Sequence, residues 1–266
     1  MSGAALTRRT TPPPSLTWLE LRALGDLARL PRTLASTYWR RPQTLGQGRT
    51  VVVLPGFGAD DRSMWPLRHY LRRYGFDSRG WGLGRNLAGL DRPHRLQDVS
   101  WGLSYAGPYR GEAGVPWLCD LMVQSVRDLV DAEGAPVSLV GWSLGGTIAR
   151  EVARDLPGVV DQVVTLGSPV IGGPKYTRAA ATLQRRGLNL DWIEAQVDQR
   201  NRKPLPCPVS AIVSPTDGVV DLSAAVCPQQ ANTRYHYVDA AHLGLGLNAA
   251  VLDIVVRELV SNGEGP

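Results

Sequence analysis

The chain has 266 residues, of which 43% are hydrophobic and 20% are charged, a composition typical of one soluble globular domain. Its net charge of +5 comes mainly from arginines that are dispersed along the sequence, so no specific nucleic-acid-binding role is predicted. The three cysteines show neither C-x-x-C spacing nor a neighbouring histidine, which argues against a metal site and favours a reducing, cytoplasmic compartment.

Residues 1–48 form an N-terminal segment that precedes the first predicted strand. Two threonines and three prolines occupy positions 10–14, where a secretory signal would need an apolar stretch, so no signal peptide is predicted. Residues 15–38 place leucines among arginines in a pattern that predicts an amphipathic helix interrupted near Pro31. Such a helix either packs on the rest of the domain, which is the more common arrangement, or makes a peripheral contact with a membrane.

The first predicted strand covers residues 51–54, which are apolar without interruption and therefore typical of a buried strand. Pro55 and Gly56 end this strand in a turn. The backbone N–H of Phe57, the next residue, is a candidate donor to an oxyanion that forms near the end of the sheet.

Residues 137–146 read V-S-L-V-G-W-S-L-G-G, an apolar strand that enters a helix-forming segment through a G-x-S-x-G turn. The sharp reversal strains the backbone of Ser143 and exposes its hydroxyl, while Gly141 and Gly145 leave room for the flanking segments. The N–H of Leu144 lies at the positive end of the new helix, where it can stabilise a developing oxyanion. We therefore predict Ser143 as a nucleophile, with the N–H groups of Leu144 and Phe57 as the oxyanion hole.

A serine hydroxyl is a poor nucleophile until a base takes its proton and a third group orients that base. Asp217 lies in a turn that follows the predicted buried strand at 209–213, and it is the predicted acid. Carboxylates in turns are more often caps or solvated residues, and Asp221 and Asp239 lie close by in the sequence as alternatives.

The chain has four histidines that could supply the base. His242 follows a short predicted strand and precedes the final helical run. His69 lies in an arginine-rich helical stretch, His94 in a loop upstream of Ser143, and His236 inside the strand. Position along the chain therefore selects His242.

Four motifs together resemble those of α/β-hydrolases of the esterase and lipase kind: P-G-F-G at 55–58, G-W-S-L-G-G at 141–146, T-D-G-V-V at 216–220 and H-L-G-L at 242–245. The resemblance implies a domain at 49–262 with a doubly wound, mostly parallel sheet covered by helices on both faces. It also implies the chain order Ser, Asp, His and a reaction that needs neither a metal nor an organic cofactor. Family members often carry His-Gly where this chain has Pro55-Gly56, which leaves the backbone donor in place. Strands are expected at 51–54, 137–140, 162–166, 209–213 and 234–238.

The resemblance also locates the walls of a substrate pocket. A glycine-rich and aromatic segment at 81–117 either borders the site, with Trp81 as a substrate-binding residue, or is a long surface loop without a ligand role. Trp142, beside Ser143, is expected to form part of the wall. Residues 172–208 are expected to form a short lid-like insertion with one or two helices, at 179–184 and 190–197.

These residues predict a serine hydrolase that cleaves a carboxylic ester, of a small molecule or of a lipid, through an acyl-enzyme intermediate. An acyltransferase uses the same three side chains and passes the acyl group to an alcohol or a thiol. A non-catalytic binding protein can share the same fold, because fold alone does not establish chemistry. The pairing of Cys207 with Cys227 and the oligomeric state stay open.

Overall fold

A computed structural model describes residues 9–39, 44–91 and 114–261 of the chain. Within these residues the strands form one sheet in the order β2-β1-β3-β4-β5-β6, in which all neighbouring strands are parallel. The strands are β1 Thr50–Leu54, β2 Asp77–Gly80, β3 Val137–Trp142, β4 Val160–Leu166, β5 Val209–Val213 and β6 Thr233–Tyr237. The predicted parallel sheet is confirmed, and the five predicted strands begin and end within about two residues of the observed bounds.

Strand β2 was not among the predicted strands. Its sequence, D-S-R-G, contains no apolar run, and only Ser78 in it is buried. The strand lies at the edge of the sheet and pairs with β1 alone among the described strands. Helices cover it less than they cover the central strands, so its side chains do not have to be apolar on both faces.

Helices cover both faces of the sheet, and alternate strand residues point to opposite faces. Val52, Leu139 and Val163 pack against α4 and α5, whereas Val51 and Val140 pack against α3 and α9. This arrangement confirms the doubly wound fold. The helices are α1 Pro14–Leu19, α2 Arg22–Trp39, α3 Trp65–Arg73, α4 Gly114–Glu133, α5 Leu144–Asp155, α6 Ala180–Arg185, α7 Leu190–Asn201, α8 Leu222–Ala225 and α9 Ala249–Ser261.

The N-terminal segment contains two helices rather than one helix broken near Pro31. The break lies at Glu20 and Leu21, between α1 and α2, and α2 continues through Pro31. The prediction of a break near Pro31 was therefore wrong. Pro31 is exposed, and water can bind the carbonyl oxygen that a proline leaves without a backbone donor, which is how the helix tolerates it.

Helix α2 packs on the rest of the domain. It buries Ala23 and Leu30 and contacts α3, α9 and the 3-10 turn at His242–Gly244. Among the described helices, none combines the length and the hydropathy that crossing a bilayer requires.

The insertion at 172–208 contains a 3-10 turn at Gly173–Tyr176 followed by α6 and α7. The two predicted helices are present, and α7 runs four residues further than expected, to Asn201. Asn189 caps α7, because its side-chain oxygen accepts a hydrogen bond from the N–H of Trp192 at 3.0 Å. In the other predicted wall segment, 81–117, residues 92–113 lie outside the described residues.

All three cysteines are buried free thiols. Burial raises the pKa of Cys207 to about 12 and that of Cys119 well above its ordinary value. The thiol form therefore dominates at neutral pH at both positions, and these two side chains act as small apolar core residues.

Candidate active site

Ser143 occupies the sharp turn between β3 and α5. It is one of the few described non-glycine residues with a positive φ, at φ 53° and ψ −122°, and its N–H donates to Leu166 O at 2.8 Å. The turn needs glycine on both sides, because a Cβ on Gly141 would strike the backbone of Gly145, and a Cβ on Gly145 would lie 2.6 Å from Pro55 O. The strain and the two glycines together place Ser143 at the end of the sheet.

Asp217 and His242 come together at the carboxyl ends of β5 and β6. Asp217 Oδ2 lies 2.7 Å from His242 Nδ1, and the exposed fractions of the two residues are 4% and 2%. The other oxygen of Asp217 accepts hydrogen bonds from the N–H groups of Val219 and Val220, at 2.8 and 2.7 Å. A carboxylate fixed in this way favours a proton on Nδ1, which leaves Nε2 free to act as a base.

Trp142 fixes the other side of His242. Its indole N–H donates to the backbone carbonyl of His242 at 3.1 Å, and the two rings lie 5.7 Å apart. Trp142 thus holds the candidate base as well as forming the wall beside Ser143.

Ser143 and His242 line one cavity of about 240 Å³. Phe57, Leu144 and Trp142 line it as well, so five of the predicted site residues share this space. The described lining includes no charged side chain. Most of the remaining surface is apolar and comes from both wall segments, with contributions from Leu90, Val115, Pro116, Leu183, Leu188, Ile193 and Val197.

The two candidate oxyanion donors lie next to Ser143. Leu144 is the first residue of α5, so its N–H belongs to the first turn, whose donors have no intrahelical partner. Phe57 follows Gly56, where a Cβ would lie 3.2 Å from the Cβ of Ser143. The turn at 55–58 therefore packs directly on Ser143. This position suits the Phe57 N–H as a second donor to the substrate oxygen that the Leu144 N–H would bind.

Asn86 holds this turn in place and was not predicted as a site residue. It is fully buried, and its side-chain amide donates to Pro55 O at 2.8 Å. Its backbone accepts from Gly58 N–H at 2.7 Å and donates to Ala59 O at 2.8 Å. In the sequence, Asn86 is an asparagine in a glycine-rich stretch, with no specific spacing to a strand or a helix. That signal is too weak to identify it.

The family model of alpha/beta hydrolases matches residues 51–260. This match covers most of the chain and includes Ser143, Asp217 and His242. The chain belongs to the alpha/beta hydrolase family.

One curated relative of this alpha/beta hydrolase is the pimeloyl-[acyl-carrier protein] methyl ester esterase of Shewanella oneidensis, which is 27% identical over 126 residues. That match spans 47% of the chain and only 37% of the relative's length. Among solved structures, a Bacillus licheniformis lipase has a TM-score of 0.57 at 13% identity, covering 80% of this chain and 92% of the lipase. A Paleococcus ferrophilus monoacylglycerol lipase has a TM-score of 0.53 at 15% identity, covering 83% and 96%. These structural likenesses show the shared fold.

The alternative acids of this alpha/beta hydrolase have other partners. Asp221 caps α8, because its carboxylate accepts the N–H of Ser223 at 2.9 Å. Asp239 pairs with Arg22 at 2.8 Å on the surface. Neither carboxylate has His242 as a partner in the described structure, whereas Asp217 does.

The alternative histidines also lie elsewhere. His69 stacks on Trp65 in α3, with ring centroids 4.9 Å apart. His236 Nε2 lies 3.3 Å from a carboxylate oxygen of Glu258. His94 lies outside the described residues.

Trp81 does not occupy the position that its predicted substrate-binding role requires. It is 2% exposed, packs in the core with Leu54 and Met122, and donates its indole N–H to Gly84 O at 2.8 Å. It is not among the described residues that line the cavity. The side chain turns inward directly after β2, the strand that the sequence did not reveal.

Proposed function

We propose that this protein is a serine hydrolase that cleaves carboxylic esters through an acyl-enzyme intermediate. Ser143 is the nucleophile, His242 the base and Asp217 the acid that orients it. The observation that carries the proposal is the 2.7 Å pairing of Asp217 with His242 beside a strained serine that lines the same cavity.

In the proposed reaction, His242 Nε2 takes the proton from Ser143 Oγ as Oγ bonds to the ester carbonyl carbon. The N–H groups of Phe57 and Leu144 donate to the oxygen that becomes negative. The tetrahedral intermediate collapses, the alcohol leaves with the proton from His242, and the acyl group stays on Ser143. Water then attacks through the same base and releases the carboxylic acid.

The cavity favours an ester with an uncharged, apolar acyl group. The described lining has no charged side chain, and its aliphatic walls reward the burial of hydrocarbon. Lys175, which follows the lining residue Pro174 in the insertion, is paired with Asp191 and Glu194. The ester named for the curated relative and the glycerol ester named for the structural neighbour both fall within carboxylic esters.

Substitution of Ser143→Ala tests the nucleophile. We expect the variant to lose labelling by a fluorophosphonate probe and turnover of a chromogenic short-chain ester, because no hydroxyl remains to form the acyl-enzyme. The matched control is Ser63→Ala, which removes an exposed serine in the turn before α3 and leaves labelling unchanged. Full labelling of Ser143→Ala would contradict the proposal.

Hydrolysis is distinguished from acyl transfer by the product. In dilute alcohol, the proposed hydrolase releases mainly the free carboxylic acid, because water completes the second step. Predominant formation of a new ester would assign the protein to the acyltransferases instead, with the same three residues.

We also propose that α1 and α2 contact an anionic lipid surface, which would place the protein at the membrane periphery. Their outer side exposes large apolar residues, with Trp18 at 76% and Leu24 at 63% exposed. Arg29 and Arg32 are exposed on α2 and supply the positive charge of an interfacial helix. The exposed apolar residues are Trp18, Leu21, Leu24 and Leu27.

Co-sedimentation with vesicles tests this surface. We expect binding to vesicles that contain phosphatidylglycerol, weaker binding at high salt, and a large loss for Leu24→Glu. Leu45→Glu is the control, since Leu45 is also exposed, at 44%, and lies outside the two helices. No vesicle binding, or equal losses for the two variants, would contradict the proposal.

A further inference from the structure

The side chain of Glu20 connects the two loops that carry the proposed acid and base. Its Oε1 accepts hydrogen bonds from Gly218 N–H at 2.8 Å and from His242 N–H at 2.9 Å. Its Oε2 accepts from Leu243 N–H at 2.9 Å. A single carboxylate thus binds the residue that follows Asp217, the base itself and the next residue.

The break between α1 and α2 brings Glu20 to this position. On the α1 side, the backbone approaches Gly218 so closely that a Cβ there would lie 2.5 Å from Leu16 O. On the α2 side, Asp26 accepts a hydrogen bond from the side-chain amide of Asn248 at 3.0 Å. Arg22 pairs with Asp239 at 2.8 Å. Glu20 is therefore held from both directions.

The carboxylate of Glu20 supplies hydrogen-bond acceptors for backbone N–H groups that have no acceptor within their own loops. His242 and Leu243 begin a 3-10 turn, and the first N–H groups of a helical turn have no acceptor within it. A carboxylate is a strong acceptor for such donors, because hydrogen bonds to a charged group are shorter and stronger than neutral ones. The two loops are thereby fixed to one rigid partner as well as to each other.

We propose that Glu20 is a positioning residue that keeps His242 aligned with Asp217 and with Ser143 during proton transfer. The inference rests on the proposed roles of those three residues. Glu20 does not line the cavity in the described structure, so it acts through the backbone of the loops rather than on the substrate. Its removal should therefore slow the chemical step and leave substrate binding unchanged.

The test compares Glu20→Ala and Glu20→Gln with Asp26→Ala. For Glu20→Ala we expect kcat to fall roughly 10²-fold, as for a small misplacement of a catalytic group, with KM unchanged. Glu20→Gln should fall between Glu20→Ala and the unmodified protein, because its oxygen can still accept while its amide group opposes one backbone donor. Asp26→Ala breaks a docking contact of α2, the helix that follows Glu20, and its kcat should stay close to that of the unmodified protein.

The rate of fluorophosphonate labelling separates the possible failures. If the unmodified protein is labelled and both Glu20 variants react at the same rate as it does, the inference about Glu20 is wrong while the proposed function stands. If the unmodified protein is not labelled, the proposed function itself fails. Equal losses in Glu20→Ala and Asp26→Ala would assign the effect to docking of α2 and overturn the role of Glu20. Because Gln has nearly the shape of Glu, the Gln variant decides the question even if the Ala variant does not fold.

Discussion

The two sides of the cavity are built by different interactions. On the side of the proposed catalytic residues, called the catalytic side below, backbone strain and hydrogen bonds of defined direction fix Ser143, Asp217 and His242. On the opposite side, α6 and α7 contribute aliphatic side chains such as Leu183 and Ile193. The insertion is linked to the body of the domain by ion pairs of Arg200, in α7, with Glu151 and Asp155, in α5.

The difference follows from what each side has to do. Proton transfer depends on direction and on distances near those of hydrogen bonds, so the catalytic groups need several bonds each. An apolar wall needs the right volume, which close packing supplies without directional bonds. Changes on the catalytic side should therefore affect the rate, and changes on the insertion side should affect stability or selectivity.

The largest effect is expected for Asp217→Asn. The amide can keep the hydrogen bonds to Val219 and Val220 through its oxygen, but its NH₂ group then faces Nδ1 and favours the wrong tautomer of His242. We expect kcat to fall by roughly 10⁴-fold with a small change in the melting temperature. Steady-state ester hydrolysis and thermal unfolding measure the two quantities.

The matched control is Asp221→Asn, which alters the cap of α8 four residues further along the same loop region. Its kcat should be close to that of the unmodified protein. A loss in this variant as large as that of Asp217→Asn would show that the catalytic side has been assigned to the wrong carboxylate.

The next effect is on stability and comes from Arg200→Met. The change leaves Glu151 with Arg154 as its remaining cation among its described ion pairs, and removes the partner of Asp155. Loss of one partner from a buried ion pair costs about 3 kcal/mol or more. We expect a lower free energy of unfolding in urea, while the rate of labelling of the remaining folded protein is unchanged.

The ion pair of Glu151 with Arg200 also makes the free energy of unfolding depend on pH. Burial alone would raise the pKa of Glu151, but Arg154 and Arg200 lower it from 4.5 to about 2. A carboxyl with a lowered pKa stabilises the folded protein above its ordinary pKa, and this contribution is lost as the pH falls from 4.5 toward 2. The stability difference between the unmodified protein and Arg200→Met should therefore narrow between pH 7 and pH 3. A constant difference would argue against the ion pair as its source.

The smallest effect is expected for Ile193→Phe in the insertion. The larger ring narrows the cavity, so kcat/KM should fall for the longest acyl esters that the unmodified protein accepts, by about tenfold. Hydrolysis of an acetyl ester should be unchanged, since it needs little of the cavity. Ile193→Leu keeps the volume and serves as control, and a uniform loss over all chain lengths would contradict a role in selectivity.

The sequence predicted the parts of the fold that depend on continuous apolar runs. β1, β3 and β5 lie between helices and are buried along nearly their whole length, so their sequences are mainly apolar and easy to identify. The turn at Ser143 was equally clear because its geometry requires glycine at fixed offsets. Asp217 and His242 were predicted from their positions along the chain, which match the Ser, Asp, His order of α/β-hydrolases, and not from their neighbouring residues.

The parts that the sequence did not reveal depend on contacts between distant residues. β2 has a polar sequence because it lies at the edge of the sheet, and Trp81, directly after it, was therefore placed at the cavity rather than in the core. Asn86 and Glu20 act through hydrogen bonds to backbone groups, which carry no residue-specific pattern. Glu20 is separated from His242 by more than two hundred residues, and no local periodicity records such a contact.

The contact of Glu20 with the loops that carry Asp217 and His242 affects where the chain can be truncated. The region shared with the family begins at residue 51. A truncated form that starts there would retain the proposed nucleophile, acid and base, but it would lose Glu20, whose carboxylate accepts hydrogen bonds from the backbone of Gly218 and His242. A boundary taken from the family match alone therefore leaves out a residue that contacts the proposed site.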